Sequence, residues 1–186
     1  MLPSGDHLRT QDIHRLKVKG WKQIFQANGQ EKKAGVAILI SDKIDFQRRA
    51  IKKDPESHFI ILKGKIHRED INIVNIYTLN IGAPKYIKKT VEDFKKDIDS
   101  NTIVVGDFKT RQSKMDRFSK YNVNKDTVTL NNALDEMDLT DIYRAFLPKE
   151  AKYTFFSSAH RTCSKIDHMI GCLLYTSDAA DDPRTV

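Results

Sequence analysis

Cysteine is scarce in this chain, with only Cys163 and Cys172 among 186 residues. Two thiols can build neither a disulfide scaffold nor a four-ligand structural zinc site. They suit a reducing compartment. Long apolar runs are missing too: no stretch approaches the ~18 residues that a spanning helix needs, so no membrane role is expected. The opening residues, MLPSGDHLRT, lack the basic-then-apolar order of a secretory signal. A nuclear or cytoplasmic location is the expectation. No internal repeat and no long linker interrupts the chain, and this length suits one domain. Hydrophobic residues at 39% are enough for a core and too many for a disordered chain.

Acidic charge is the minority charge. Lys and Arg number 32 against 25 Asp and Glu, a net +7. Residues 172–186 hold three Asp and one Arg, so residues 1–171 carry +9. A basic soluble domain attracts polyanions, of which nucleic acid is the commonest in a cell. Charge alone is equally compatible with a merely well-solvated surface.

The apolar residues fall in short, β-branched clusters. Val36–Ile40, Phe59–Leu62, Ile71–Tyr77, Ile103–Gly106, Phe155–Phe156 and Ile166–Ile170 read as strands. His67, Arg68, Glu69 and Asp70 lie between two of them, where a hairpin loop belongs. Ile87, Val91, Phe94 and Ile98 recur at helical spacing behind Pro84, a good first-turn residue. Leu130, Ala133, Leu134 and Met137 predict a second helix from about Asp126 to Met137. Strands dominate and helices punctuate them, as in a layered α/β or α+β domain.

Three strand ends carry polar chemistry. The strand at Ile103–Val105 runs into Gly106 and Asp107, the edge where layered α/β folds place catalytic groups. Asp107 is equally suited to capping a turn. Tyr77 and Asn80 close another strand. A Tyr hydroxyl can donate to a phosphate oxygen, although a strand Tyr more often packs in the core. In Lys165-Ile166-Asp167-His168, strand alternation sends Asp167 to one side and Ile166 and His168 to the other. Asp167 could orient an imidazole, and His168 itself reads as a packed or surface residue. Thr154, in Tyr153-Thr154-Phe155-Phe156, could face a ligand or simply belong to a strand.

Five segments in order, 14–43 (HRLKVKGWKQIFQANGQEKKAGVAILISDK), 75–88 (NIYTLNIGAPKYIK), 104–117 (VVGDFKTRQSKMDR), 123–144 (VNKDTVTLNNALDEMDLTDIYR) and 153–171 (YTFFSSAHRTCSKIDHMIG), carry a resemblance. From about His7 to Gly171 the chain resembles the endonuclease domain of mammalian LINE-type non-LTR retrotransposon polyproteins. That domain is a branch of the endonuclease/exonuclease/phosphatase superfamily. The resemblance implies a four-layered α/β sandwich of two central β-sheets flanked by helices. It implies a Mg²⁺-dependent phosphodiesterase that nicks DNA, acting as a monomer with no small-molecule cofactor.

Matched position by position, the resemblance implies catalytic roles for Asp107, Tyr77, Asn80 and Asp167. Apart from the resemblance, Lys114 and Arg117, which follow the Asp107 loop in a basic chain, and Thr154 are the candidates to contact nucleic acid. The resemblance also marks departures. Gly5 occupies the place of the family's metal-binding Glu, so no side chain here is assigned to the metal. Lys109 replaces the Asn of the family's Gly-Asp-Phe-Asn motif. Thr78 and Leu79 replace Ala-Pro between Tyr77 and Asn80. The first catalytic Asn and the terminal Ser-Asp-His have no counterpart, so the sandwich is expected to be incomplete at both ends. Residues 172–186 lose all periodicity, and CLLYTSDAAD resembles a translated sequencing adapter. A disordered, non-native tail is expected there. The implied function is that of an impaired DNA endonuclease, with a non-cleaving basic nucleic-acid-binding remnant as the alternative.

Overall fold

A computed structural model describes residues 18–28, 35–55, 57–77, 83–108, 125–150, 152–158 and 161–172. The chain divides into two compact units, 1–77 and 78–186. No helix among the described residues is long and apolar enough to cross a membrane.

Among the described residues the first unit holds five strands. Trp21–Asn28 (β1) and Gly35–Ser41 (β2) form an antiparallel pair. Phe46–Lys53 (β3), Phe59–Ile66 (β4) and Glu69–Tyr77 (β5) form an antiparallel meander. Phe25, Ala27, Val36, Ile38 and Ile40 from the β1–β2 pair close on Phe46, Ile60 and Leu62, forming one buried cluster. Alternation explains it: β2 hides Val36, Ile38 and Ile40 and turns Ala37 and Leu39 away.

The β4–β5 turn is tighter than the four-residue loop expected. His67 and Arg68 alone make it, with φ of 51° and 75°. Two consecutive positive φ values are the signature of a two-residue hairpin turn. Glu69 and Asp70 already belong to β5, opposite Ile66 and Lys65. Strand β3 carries a bulge between Arg48 and Ala50. Phe46 and Ile51 both pack on the buried cluster although five residues separate them. Strict alternation would put them on opposite faces, and the one extra residue restores the phase.

The second unit is α/β. Thr102–Asp107 (β6), Leu139–Asp141 (β7) and Asp167–Cys172 (β10) assemble in the order β6–β10–β7, with β10 antiparallel to both neighbours. Phe155–Ser157 (β8) and Thr162–Ser164 (β9) make a separate antiparallel pair. Helix α1 (Ala83–Asp93) buries Ile87 and Thr90 and is followed by buried Phe94. Helix α2 (Lys125–Asp135) buries Leu130, Ala133 and Leu134 and packs on α1. Met137, expected inside this helix, lies just past its end in a turn that closes at Asp138, where φ is 54°. A short helix α3 (Ile142–Phe146) follows β7 directly. Strand β10 runs to Cys172, which pairs with Leu139, so regular structure reaches one residue into the stretch expected to be tail. Residues 173–186 lie outside the described residues.

Candidate active site

The geometry starts from the β6–β10 ladder. Asp107 and Asp167 are direct partners across it, at the last rung before the strands part. Direct partners share a sheet face, with Cβ atoms ~4.5–5.5 Å apart. Two of the three strand-end clusters therefore meet. Asp107 is half-buried and Asp167 exposed. Like charges placed opposite each other are unfavourable unless a cation or a donor lies between them.

Thr154 sits beside this pair through the backbone. Its Oγ1 accepts the N–H of Ile166 at 3.1 Å and of Asp167 at 3.3 Å, and its own N–H donates to the Ser164 carbonyl. The hydroxyl proton is not consumed by those two bonds, since Oγ1 is the acceptor in both.

The opposite face of the ladder is buried and tightly paired. His168 lies opposite Gly106, which adds no side chain to that face. The His168 ring stacks on buried Phe108 with centroids 5.6 Å apart. The Phe108 N–H donates to the Ile166 carbonyl at 2.9 Å. Asp141, at the end of β7, faces the same side. Its Oδ2 lies 2.9 Å from His168 Nδ1 and accepts from Lys165 Nζ at 2.7 Å, and its Oδ1 caps α3 through the Arg144 N–H. A carboxylate only accepts, so Nδ1 is the protonated nitrogen of His168. The Lys165 ammonium also lies over the Tyr143 ring, 4.5 Å from its centroid.

Burial pushes the Asp141 carboxyl up. Hydrogen bonds from His168 and Lys165 and the charges beside it pull it down further, to a pKa of about 2. This buried ionic cluster fixes β7 and the start of α3 to β10, and so fixes the strand that carries Asp167. Lys165 belongs to a cluster visible in the sequence, but its partner Asp141 does not. The 24 and 27 residues between Asp141 and its partners leave no local signal. His168 is a packed histidine, one of the two fates its sequence context allowed.

Tyr77 ends β5 in the first unit. Its N–H donates to the His58 carbonyl at 2.7 Å, and its half-buried side chain packs on the rim of the hydrophobic cluster. Asn80, Lys114 and Arg117 lie outside the described residues, as do Gly5 and Lys109. Among the described residues no three His, Cys, Asp or Glu side chains gather closely enough to cage a metal ion.

No known protein-family profile matches the sequence. Solved structures do match. The endonuclease domain of TRAS1, a telomere-specific non-LTR retrotransposon, superposes with a TM-score of 0.62 at 13% identity, covering 83% of this chain and 68% of that one. The 3′ phosphatase NExo from Neisseria, bound to a product DNA hairpin, gives 0.63 at 17% identity, covering 89% and 75%. An AP endonuclease from Archaeoglobus fulgidus gives 0.56 at 19% identity, covering 86% and 68%. At such identities the likeness is one of fold. The chain shares the α/β fold of these solved structures.

Proposed function

We propose that this chain engages DNA as a degenerate metal-dependent phosphodiesterase, with the fold and a carboxylate pair retained and hydrolysis severely impaired. The observation that carries this reading is the pairing of Asp107 with Asp167 at one end of the β6–β10 ladder. Two carboxylates repel a phosphodiester unless a cation stands between them. They suit metal-assisted hydrolysis and do not suit simple anion binding. The donor set fits Mg²⁺, which keeps several waters and takes one or two protein carboxylates. Asp107 and Asp167 would hold it. When bound, the ion would polarise the phosphoryl group and balance its charge. On this reading half-buried Asp107 would also orient a water, and the Thr154 hydroxyl, whose oxygen accepts in both of its backbone bonds, would donate its proton to a phosphate oxygen.

Impairment follows from two positions of the sequence. Gly5 brings no oxygen where the resembling family has a metal-binding Glu. Lys109 brings an ammonium where that family has a neutral amide, and its charge opposes a nearby metal ion. The proteins of the same fold that act on DNA support the substrate class.

The test is relaxation of supercoiled plasmid in Mg²⁺. The expected result is no detectable nicking, together with salt-sensitive binding to duplex DNA. Plasmid relaxation by the unmodified chain, abolished in Asp107→Ala, would overturn the impairment. Absence of any duplex binding would overturn the substrate class.

A further inference from the structure

Strand β3 carries Arg48, Arg49, Lys52 and Lys53 and no acidic residue, four positive charges in eight positions. All four side chains are exposed. Among the described residues β3 pairs with β4 alone, so its other side is a sheet edge. Charged edges keep sheets from joining one another. That need is met by either sign, and an edge with one sign only, half of it Arg, asks for a further explanation.

The bulge distributes these charges to both sides of the edge. Arg48 lies opposite Gly64, on the side of Phe46, with its guanidinium 5.9 Å from the Phe25 ring centre. Lys53, opposite Ile60, is on that side as well. Lys52, opposite Ile61, is on the other, as is Arg49, which reaches Asp70 at 2.7 Å. Asp70 also lies 3.9 Å from Lys65, so one carboxylate serves two cations there. The row has a direction. Lys53, Ile60 and Asn75 form one line across β3, β4 and β5, so Lys53 stands ~10 Å from the strand that ends in Tyr77. From Lys53 to Arg48 the edge runs a further ~17 Å, the axial length of about five base pairs.

From this we infer that the β3 edge is a second DNA contact, a track of cations that starts at the Tyr77 end of the sheet and grips the phosphate backbone of a duplex along the strand. The inference rests on the reading of the chain as DNA-directed and adds a surface on which that reading does not depend. Phosphate contacts of this kind set register and affinity and carry no sequence information. Bidentate Arg48 and Arg49 suit phosphate oxygens, and Lys52 and Lys53 act as point charges.

The experiment measures binding of the whole chain to a labelled mixed-sequence duplex over a series of salt concentrations. The variant replaces Arg48, Arg49, Lys52 and Lys53 with Gln. A control replaces four exposed lysines elsewhere, Lys85, Lys89, Lys149 and Lys152, with Gln. Each lost phosphate contact lowers the log–log salt slope by about 0.9, so the β3 variant should lose about 2 to 4 and the control less than about 1. Because Arg48 packs on Phe25, the Arg49→Gln/Lys52→Gln double variant is measured beside it. That variant leaves the buried cluster intact and should lose about 1 to 2. Equal losses in variant and control, or no loss in either double or quadruple variant, would overturn the track. So would tighter binding to single-stranded RNA or to anionic vesicles than to the duplex. Failure of the nuclease reading looks different: plasmid nicking results change while these slopes stay as predicted.

Discussion

Lys165 Nζ and Asp141 Oδ2 meet at 2.7 Å in the interior of the second unit, with side chains only 6% and 8% exposed. Taking two charges out of water is costly, and the pair holds because His168 and the α3 N-terminus share the carboxylate. Removing one partner strands the other. Asp141→Ala should therefore destabilise the chain by about 3 to 5 kcal/mol, as for other broken buried pairs. Urea denaturation measures it. A loss below about 1 kcal/mol would mean that Lys165 finds water when its partner goes.

The same carboxylate makes stability depend on acid. Its pKa falls from 3.8 to about 2 on folding. A lowered carboxylate pKa adds stability that is fully present above the unfolded value. It is lost as pH falls from about 4 through about 2, and it is worth on the order of 2 kcal/mol. Melting temperature should drop through that window in the parent chain. In Asp141→Asn the drop should be shallower, from a lower starting point. Parallel curves would place the acid sensitivity elsewhere.

Gly64 is a packing constraint in the first unit. A Cβ added there would run into the Phe46 ring and come 2.6 Å from the Gln47 carbonyl oxygen. Phe46 is 4% exposed and held by the surrounding cluster, so it has little room to give. Gly64→Ala should cost about 1 to 3 kcal/mol, the usual penalty of overpacking. The cost should disappear in part in Gly64→Ala/Phe46→Leu, which returns volume at the clash. Chemical denaturation of the single and double variants decides it.

Most strands were legible because burial writes a pattern. Val36–Ile40 and Phe59–Leu62 are apolar because both lie in the core. Strand β3 gave no such pattern. It is an edge, it is charged, and its bulge breaks the period of two on which recognition depends. Strand β1 was equally silent: Gln23 and Gln26 interrupt its apolar residues, and Gln23 Nε2 donates to the Phe46 carbonyl. Helix α3 spans five residues, too short for any periodicity. At the site, Asp107 and Asp167 were each visible as strand-end carboxylates. Their meeting depends on the register of two strands about sixty residues apart, which no local pattern encodes. Asp141 was hidden for the same reason, its partners being tertiary.

The last prediction concerns repair of the chemistry. Lys109→Asn restores the neutral amide found in the resembling family, yet alone it should restore no plasmid nicking. Hydrolysis needs the ion fixed and the scissile phosphate balanced together. On the reading proposed above, Gly5 leaves the ion short of one oxygen donor. Members of one catalytic constellation are far from additive, so a single loss can cost nearly as much as several. Removing one charge-stabilising donor typically costs ~10²–10³ in rate. Gly5→Glu with Lys109→Asn should therefore also fall short, because the resembling family's first catalytic Asn and its Ser-Asp-His have no counterpart in this sequence. Plasmid relaxation by the double variant, abolished by Asp107→Ala, would show those groups to be dispensable. If Lys109→Asn by itself produced a nicking chain, the metal position would be intact without Gly5, and the lesion would be the single ammonium.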